Sequence, residues 1–279
     1  MTILAVITIY NPDTALLRKN IASFIGGVEK VLIWRNSPVD ETAILEGFPD
    51  KIEFCGYCDN AGIPKSLNYA RQRALEGGYS HLLTMDQDSV FEDFAGYIST
   101  IAGENSPAGI YAPRINGAFG EKKALPEGYA SMSFVPYPFL ITSGMLIPIE
   151  LLERIGGWDE SFFVDGVDME FIFHARELGI ESYKVAAGNI SHHLGDTKRR
   201  RFLWKTYTTN NYPPQRLYGL YRSHIIVIRK YAAAKVMAPL FRKQNYRQRP
   251  VRILLGEKHR FAKFAAIIRG IRDGRRAKI

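Results

Sequence analysis

Residues 81–88 read His-Leu-Leu-Thr-Met-Asp-Gln-Asp, so that an apolar run is followed at once by two carboxylates one residue apart. An apolar run of this kind predicts a buried β-strand, and in extended backbone residues i and i+2 point to the same side. Asp86 and Asp88 are therefore predicted to share one hard divalent cation, Mg²⁺ or Mn²⁺, which prefers oxygen ligands. The alternative is a solvated acidic turn, because two aspartates at this spacing are a weak motif when taken alone.

The residues before this run alternate between strand and helix patterns. Apolar runs rich in β-branched residues occupy 3–9, 28–34 and 51–54. A helix is predicted to begin near Asp13 as its N-cap, and a second begins near Pro64 and ends at the Gly77-Gly78 pair. Strands alternating with helices predict βαβ units and a parallel sheet, and ligands of such sheets bind at the carboxyl ends of the strands. Beyond Gly195 the chain is predicted to be mainly helical and basic.

A second acidic block occupies residues 156–171 and sets carboxylates among aromatic side chains. Its acidic members are Asp159, Glu160, Asp165, Asp168 and Glu170. Carboxylates near apolar rings tend to have raised pKa values, which suits proton abstraction from a hydroxyl near neutral pH. The alternatives are capping of a helix by Asp168 and exposure of the first two acids on a Gly-Gly turn.

Two further pairs of residues carry potential chemistry. His192 and His193 could complete a metal shell or hold a phosphate, although paired histidines in a loop are more often surface residues. Cys55 and Cys58 match the redox spacing, but no helix follows directly and one such pair cannot fill a zinc site. We interpret the two cysteines as structural and the compartment as reducing.

Composition limits the class of protein. At 279 residues and 46% hydrophobic, the chain can build the core of one large α/β domain, and no apolar run approaches the length that crosses a bilayer. No Gly-rich phosphate loop follows the first strand, which argues against a P-loop enzyme or a dinucleotide oxidoreductase. The strand pattern begins almost at Met1 without a leader-like segment, so we expect a cytoplasmic protein.

The charge is distributed unevenly along the chain. Residues 1–197 carry 14 Lys+Arg against 26 Asp+Glu, whereas residues 198–279 carry 23 against 2. In the last stretch, Phe261, Phe264, Ala265, Ile268 and Ile271 recur at helical spacing beside basic residues. This pattern fits either an interfacial helix on an anionic membrane, at the inner face of the plasma membrane, or an ordinary helix packed on its domain.

Taken in order, these segments resemble the inverting glycosyltransferases of family 2, especially their bacterial rhamnosyltransferase-like branch. The similarity extends from residue 3 to about residue 230. It is carried by residues 6–11, 59–63, 85–88, 157–170 and 192–195. The resemblance implies a GT-A fold, with a mixed, mainly parallel sheet flanked by helices and a helical basic C-terminal tail. We assign a glycosyltransferase domain to residues 1–215 and a basic helical extension to residues 216–279. For that extension, contact with an anionic membrane surface and packing on the domain both stay open.

The resemblance also implies roles for individual residues around the nucleotide diphosphate sugar. The donor is expected to contact Thr8, Tyr10, Asn11, Asn36, Asn60, Asp86 and Asp88. Of these, Asn36 and Asn60 fall near the base or ribose, and Asp86 and Asp88 also hold the metal. His192 matches the family spacing of histidine, and is expected as a further metal ligand or phosphate contact. Arg35 stands where many relatives have an acidic residue at the strand end.

The catalytic base is expected in the second acidic block. Asp168 falls at the position of the family's base, but Val167 replaces the glutamate that usually precedes it, which leaves Asp165 as a competing base or acceptor contact. The expected reaction is inverting transfer of a sugar, with dTDP-rhamnose as the donor suggested by resemblance, to a hydroxyl of a saccharide or lipid-linked saccharide in cell-surface polysaccharide synthesis. The rivals are a nucleotidyltransferase using the same carboxylates and a basic-tailed nucleic-acid-binding protein. The acidic body argues against nucleic acid as a partner.

Overall fold

The computed structural model describes residues 1–48, 50–116, 132–192, 198–202, 205–209 and 211–279. The chain divides into two compact units. The first comprises Met1–Glu160 with Leu178–His193, and the second comprises Ser161–Glu177 with Leu194–Ile279. Compact units and functional domains need not coincide, so the division into 1–215 and 216–279 stays a prediction.

The first unit is an α/β layer. In chain order it contains β1 (Ile3–Ile9), α1 (Thr14–Ala22), a 3₁₀ turn (Ile25–Gly27), β2 (Lys30–Arg35), α2 (Glu41–Leu45), β3 (Ile52–Cys55), α3 (Ile63–Glu76), β4 (His81–Asp86), β5 (Ser89–Phe91), α4 (Phe94–Ile101), β6 (Ile110–Asn116), β7 (Phe134–Pro136), β8 (Met145–Pro148), α5 (Ile149–Ile155) and β9 (Ser182–His192).

Four parallel strands form one half of the sheet, in the order β3-β2-β1-β4. β8 continues it antiparallel to β4, followed by β6, β9 and β5, and β7 pairs with β9. β1 and β4 are buried over nearly their whole length, as the continuous apolar runs predicted. The core of this unit contains Ile7, Ile33 and Leu83, all without measurable exposure.

The helix boundaries follow the local signals in the sequence. The Asp13 carboxylate accepts a hydrogen bond from the Leu16 N–H at 3.0 Å, so the predicted N-cap of α1 is confirmed. α3 begins after Gly62, whose φ of +82° is a conformation that only glycine adopts readily, and ends at Gly77. The mixed α/β fold class is confirmed as well.

The second unit is mainly helical. It contains α6 (Val167–Glu177), a hairpin of β10 (Lys198–Phe202) and β11 (Lys205–Thr209), α7 (Pro214–Lys230), a 3₁₀ segment (Ala233–Met237), α8 (Ala238–Phe241), a π-helical segment (Arg242–Gln248), α9 (Arg249–Gly256) and α10 (Arg260–Arg276). Its small core consists of Leu217, Tyr221, Ile253 and Ile267. Within the described residues, every helix is too short or too polar to traverse a lipid bilayer.

Candidate functional site

The carboxyl ends of β1, β2 and β4 meet at one edge of the sheet in the first unit. β1 lies between β2 and β4, and Thr8 at its end is in register with Trp34 on one side and Asp86 on the other. The chain leaves β1 for β2 on one side, whereas β4 lies on the other, so this is the point where the strand order reverses. Open α/β sheets bind their ligands at such a point.

The turn that carries the two aspartates is fixed to the end of β1. The Gln87 side chain accepts a hydrogen bond from the Tyr10 N–H at 2.7 Å and donates one to the Tyr10 carbonyl at 3.2 Å. Asn20 donates to the Asp86 carbonyl at 2.6 Å. The backbone of the turn is therefore held by neighbouring groups, and Asp86 and Asp88 are both half-buried.

The residues after β1 combine one structural hydroxyl with two exposed side chains. The Thr8 hydroxyl hydrogen-bonds the Ser66 hydroxyl in the first turn of α3, which ties the strand to the helix. Tyr10 is 52% exposed, and Asn11 is exposed with φ of +45°. The Asn11 N–H donates to the Ser37 hydroxyl at 2.8 Å. Tyr10 and Asn11 therefore present accessible side chains from a backbone that is held in place.

Asn36 is buried and holds the loop before α3. Its side-chain oxygen accepts from the Trp34 indole at 3.0 Å and from the Ala61 N–H at 3.1 Å, and its amide nitrogen donates to the Gly62 carbonyl at 3.2 Å. Asn60 is exposed, and its side chain accepts from the Gly62 N–H at 3.3 Å. The buried Asn36 side chain therefore holds this loop by hydrogen bonds, whereas the Asn60 side chain is exposed at the loop surface.

We predict that Asn36→Ala will strongly destabilise the first unit. The substitution leaves the buried Trp34 indole and the part-buried Ala61 N–H without their acceptor, at about 1–3 kcal/mol each. Urea unfolding should therefore show a free energy of unfolding lower by about 2–4 kcal/mol. The matched control is Asn60→Ala, whose exposed side chain should cost less than about 1 kcal/mol. Equal stability of the two variants would contradict the prediction.

Arg35 links the ends of β2 and β3. Its guanidinium pairs with Glu41 and donates to the carbonyls of Cys55 and Gly56, the latter at 2.9 Å. The side chain that departs from the family pattern therefore fixes the strand ends beside the loop.

Cys55 and Cys58 are both free thiols, and burial raises the pKa of Cys55 to about 12. Such a thiol is not a nucleophile near neutral pH.

The donor set at this edge suits a hard divalent cation. Asp86 and Asp88 offer carboxylate oxygens from a fixed turn, and His192 in β9 is in register with Ser89, the residue after Asp88. The His192 side chain, which was predicted as a further ligand, lies outside the described residues, as does His193. Within the described part of the chain, no three His, Cys, Asp or Glu side chains form a metal-holding group. Two carboxylates suit a cation whose other positions are filled by ligand oxygens, as those of Mg²⁺ commonly are.

The loop at 156–160 is attached to α3 within the same unit. Asn68 accepts from the Trp158 N–H at 2.8 Å and donates to the Trp158 carbonyl and the Glu160 carboxylate, both at 2.9 Å. Gly157 has φ of +104°, and a Cβ there would lie 2.6 Å from the Asn68 side-chain oxygen. The glycine and Glu160 of the acidic block thus contribute to anchoring the loop.

The two candidate bases belong to the second unit, at the start of α6. Asp168 is half-buried in the first turn of the helix. Asp165 is 11% exposed, and Arg216 on α7 pairs with it at 3.5 Å. Burial raises the pKa of Asp165, while Arg216 acts in the opposite direction. Both carboxylates could accept a proton, and their environments differ.

Glu170, two residues after Asp168, has a structural role. It is 2% exposed, accepts from the Lys230 ammonium at 2.7 Å and is hydrogen-bonded by the Tyr231 hydroxyl. Lys230 and Tyr231 end α7, so Glu170 anchors α6 to that helix. The sequence alone did not identify this role, nor those of Gln87 and Asn68. In the sequence, Gln87 and Glu170 are marked only by lying within the two acidic motifs, and Asn68 is not marked at all.

The structure thus brings the seven expected donor residues to one edge of the first unit and sets Asp165 and Asp168 at one helix start in the second.

No protein-family model matches the chain. A curated relative is the dTDP-rhamnosyl transferase RfbF of Shigella flexneri, which is 26% identical over 219 residues and matches 70% of each chain.

Solved structures show the same fold at low sequence identity. Mannosyltransferase PcManGT from Pyrobaculum calidifontis, in complex with GDP-Man and Mn²⁺, is similar at a TM-score of 0.60 and 14% identity, covering 99% of this chain and 76% of that one. GalNAc-T7 with UDP, GalNAc and Mn²⁺ is similar at a TM-score of 0.57 and 12% identity over 82% of this chain, which spans about half, 48%, of its length. The chain therefore has the GT-A fold and resembles the bacterial family 2 glycosyltransferases.

Proposed function

We propose that the chain is a metal-dependent, inverting family 2 glycosyltransferase that transfers a sugar from a nucleotide diphosphate to an acceptor hydroxyl. The observation that carries the proposal is the convergence of Tyr10, Asn11, Asp86 and Asp88 at the edge where the strand order reverses. Exposed side chains for a nucleoside and carboxylates for a cation lie there on one hydrogen-bonded rim. A nucleoside diphosphate matches both, because its nucleoside can contact the exposed side chains and its phosphates can bind the cation.

The proposed donor is dTDP-rhamnose. Support comes from the relative named as a dTDP-rhamnosyl transferase, which matches 70% of this chain. Tyr10 and Asn11 are proposed to contact the nucleotide directly, and Asn60 the base or ribose from its exposed loop. Thr8 and Asn36 act through the backbone that they hold, because their polar side-chain atoms are bonded to Ser66, Trp34, Ala61 and Gly62.

In the proposed reaction, a carboxylate removes the proton of the acceptor hydroxyl. At the same time, the hydroxyl oxygen attacks the anomeric carbon. The new carbon–oxygen bond forms on the face opposite the diphosphate, whose own bond to carbon breaks, so that the configuration inverts. Asp168 is the proposed base, with Asp165 as the competitor. Asp86 and Asp88, with His192 as a further ligand, would hold Mg²⁺ or Mn²⁺, which supplies positive charge beside the leaving diphosphate.

The proposed acceptor is a saccharide or a lipid-linked saccharide in cell-surface polysaccharide synthesis. A nucleotidyltransferase is the competing function, because it also holds a cation with closely spaced aspartates. The two reactions release different products. A glycosyltransferase leaves a nucleoside diphosphate, whereas a nucleotidyltransferase releases pyrophosphate from a nucleoside triphosphate.

Calorimetry and product analysis test this proposal. Titration with dTDP, UDP and GDP, each with Mg²⁺, Mn²⁺ or EDTA, should show binding of one nucleoside diphosphate that EDTA weakens. Incubation with a panel of sugar nucleotides should then release that nucleoside diphosphate by slow hydrolysis. Absence of metal-responsive nucleotide binding, or release of pyrophosphate from a triphosphate, would contradict the proposal. Tight, salt-sensitive binding to DNA without a response to nucleotides would favour a nucleic-acid-binding protein instead.

A further inference from the structure

α10 has two apolar faces rather than one. On the inner face, Gly270 and Gly274 let the helix approach α7 closely, since a Cβ on Gly270 would lie 2.5 Å from the Tyr218 carbonyl oxygen. Phe264 and Ile271 pack against the core of the second unit. Part of the apolar pattern predicted from the sequence is therefore used for packing within this unit.

The other members of that pattern face outward. Phe261 is 93% exposed, Ile268 is 66% exposed, and Ala265 between them is exposed as well. Spacings of four and three residues place all three on one side of the helix. Burial of the exposed phenylalanine and isoleucine would lower the free energy, so this face is a candidate binding surface.

α9 repeats the arrangement over fewer turns. Ile253 is fully buried, whereas Val251, Leu254 and Leu255 are 51%, 53% and 38% exposed. Among the described residues, fourteen large apolar side chains are exposed, and eight of them lie between Leu240 and Ile279. The exposed apolar surface is thus concentrated in the last helices.

The same segment is strongly basic. Residues 240–279 carry 13 Lys+Arg against two acids. Glu257 is buried and paired with Lys263 at 2.6 Å, and Asp273 is bonded to Arg272 at 2.9 Å. Both acids are therefore engaged locally, and the surface around the exposed apolar residues is positive.

We propose that the outward faces of α9 and α10 bind the surface of an anionic lipid bilayer. Apolar side chains flanked by cations match the boundary between acyl chains and anionic headgroups, where nearby basic residues add electrostatic attraction. Phosphates of nucleic acids would satisfy the cations but not Val251, Leu254 or Ile268, because base stacking uses aromatic or guanidinium planes. The inference goes beyond glycosyl transfer and does not depend on it.

Vesicle cosedimentation of the full chain tests this inference. The protein should bind vesicles of phosphatidylcholine mixed with phosphatidylglycerol, and bind pure phosphatidylcholine vesicles weakly. Phe261→Ser combined with Ile268→Ser should weaken partitioning by about tenfold or more, because each substitution removes apolar area that the bilayer would bury. Arg252→Gln combined with Arg276→Gln should also weaken it, and the remaining binding should depend less on salt.

Matched controls separate this surface from general stickiness. Leu178→Ser removes a 41% exposed leucine from the first unit, and Lys19→Gln removes an exposed cation from α1. Neither should change partitioning, and circular dichroism should be unchanged in every variant. Equal binding to both kinds of vesicle, or wild-type binding by the Phe261→Ser, Ile268→Ser protein, would overturn the inference. So would tighter binding to duplex DNA than to anionic vesicles.

Discussion

Asp168→Asn is expected to reduce the turnover number for sugar transfer by about 10²- to 10⁴-fold while nucleotide binding is retained. Asparagine keeps the shape of the side chain but cannot accept the proton of the acceptor hydroxyl. The expected donor residues belong to the first unit and Asp168 to the second, so the substitution replaces none of the expected donor residues. Transfer is measured as nucleoside diphosphate released in the presence of acceptor, and binding is measured by calorimetry.

Two further variants near Asp168 make the result specific. Glu177→Gln changes an exposed acid in the last turn of the same helix and should leave turnover unchanged. Asp165→Asn should lower turnover less than Asp168→Asn, because Asp165 is paired with Arg216. If Asp165→Asn abolished transfer and Asp168→Asn did not, the base would be Asp165. Its raised pKa would then appear as a rise of rate with pH above the ordinary aspartate range.

The parts of the fold that could be predicted from sequence are those governed by local pattern. The apolar runs predicted β1 and β4, and Asp13 predicted the start of α1, because period and capping act over a few residues. The hairpin of β10 and β11 was missed in a segment predicted to be mainly helical. The helical prediction for this basic segment did not take into account the strand preference of Thr206, Tyr207 and Thr208.

The parts of the site that escaped prediction depend on contacts distant in sequence. Gln87 meets Tyr10 across 77 residues, and Asn68 meets Trp158 across 90. The position of Asn36 near the base or ribose stays a prediction, and its amide is bonded to a loop 25 residues away. Nothing in the local sequence distinguishes an amide that contacts a ligand from one that supports the residues that do.

The division of apolar residues on α10 has the same origin. The spacing of Phe261, Phe264, Ala265, Ile268 and Ile271 indicates an amphipathic helix but not which side packs on its neighbour. The glycines at 270 and 274 decide this, because only their side allows close approach to α7. The structure therefore shows which side of the helix is packed, and the interfacial role of the exposed side stays a proposal.

Asp88→Asn is expected to abolish the metal-dependent part of donor binding and to reduce transfer by about 10³-fold. Asparagine preserves the volume of the side chain but removes the negative charge that attracts a hard cation. Loss of a cation beside the leaving diphosphate costs several, about 4, kcal/mol of transition-state stabilisation, which corresponds to that factor. In calorimetry, EDTA should weaken nucleotide binding by the wild-type protein but have little effect on the variant.

The structure offers two controls that tell a metal ligand from a structural residue of the same turn. Glu153→Gln removes an exposed acid of the first unit and should bind the nucleotide and respond to EDTA as the wild-type protein does. Gln87→Ala loosens the turn by removing both hydrogen bonds to Tyr10, so it should weaken nucleotide binding while the response to EDTA persists. If Asp88→Asn behaved like Gln87→Ala, with weaker binding that still responds to EDTA, then Asp88 would support the turn rather than hold the cation.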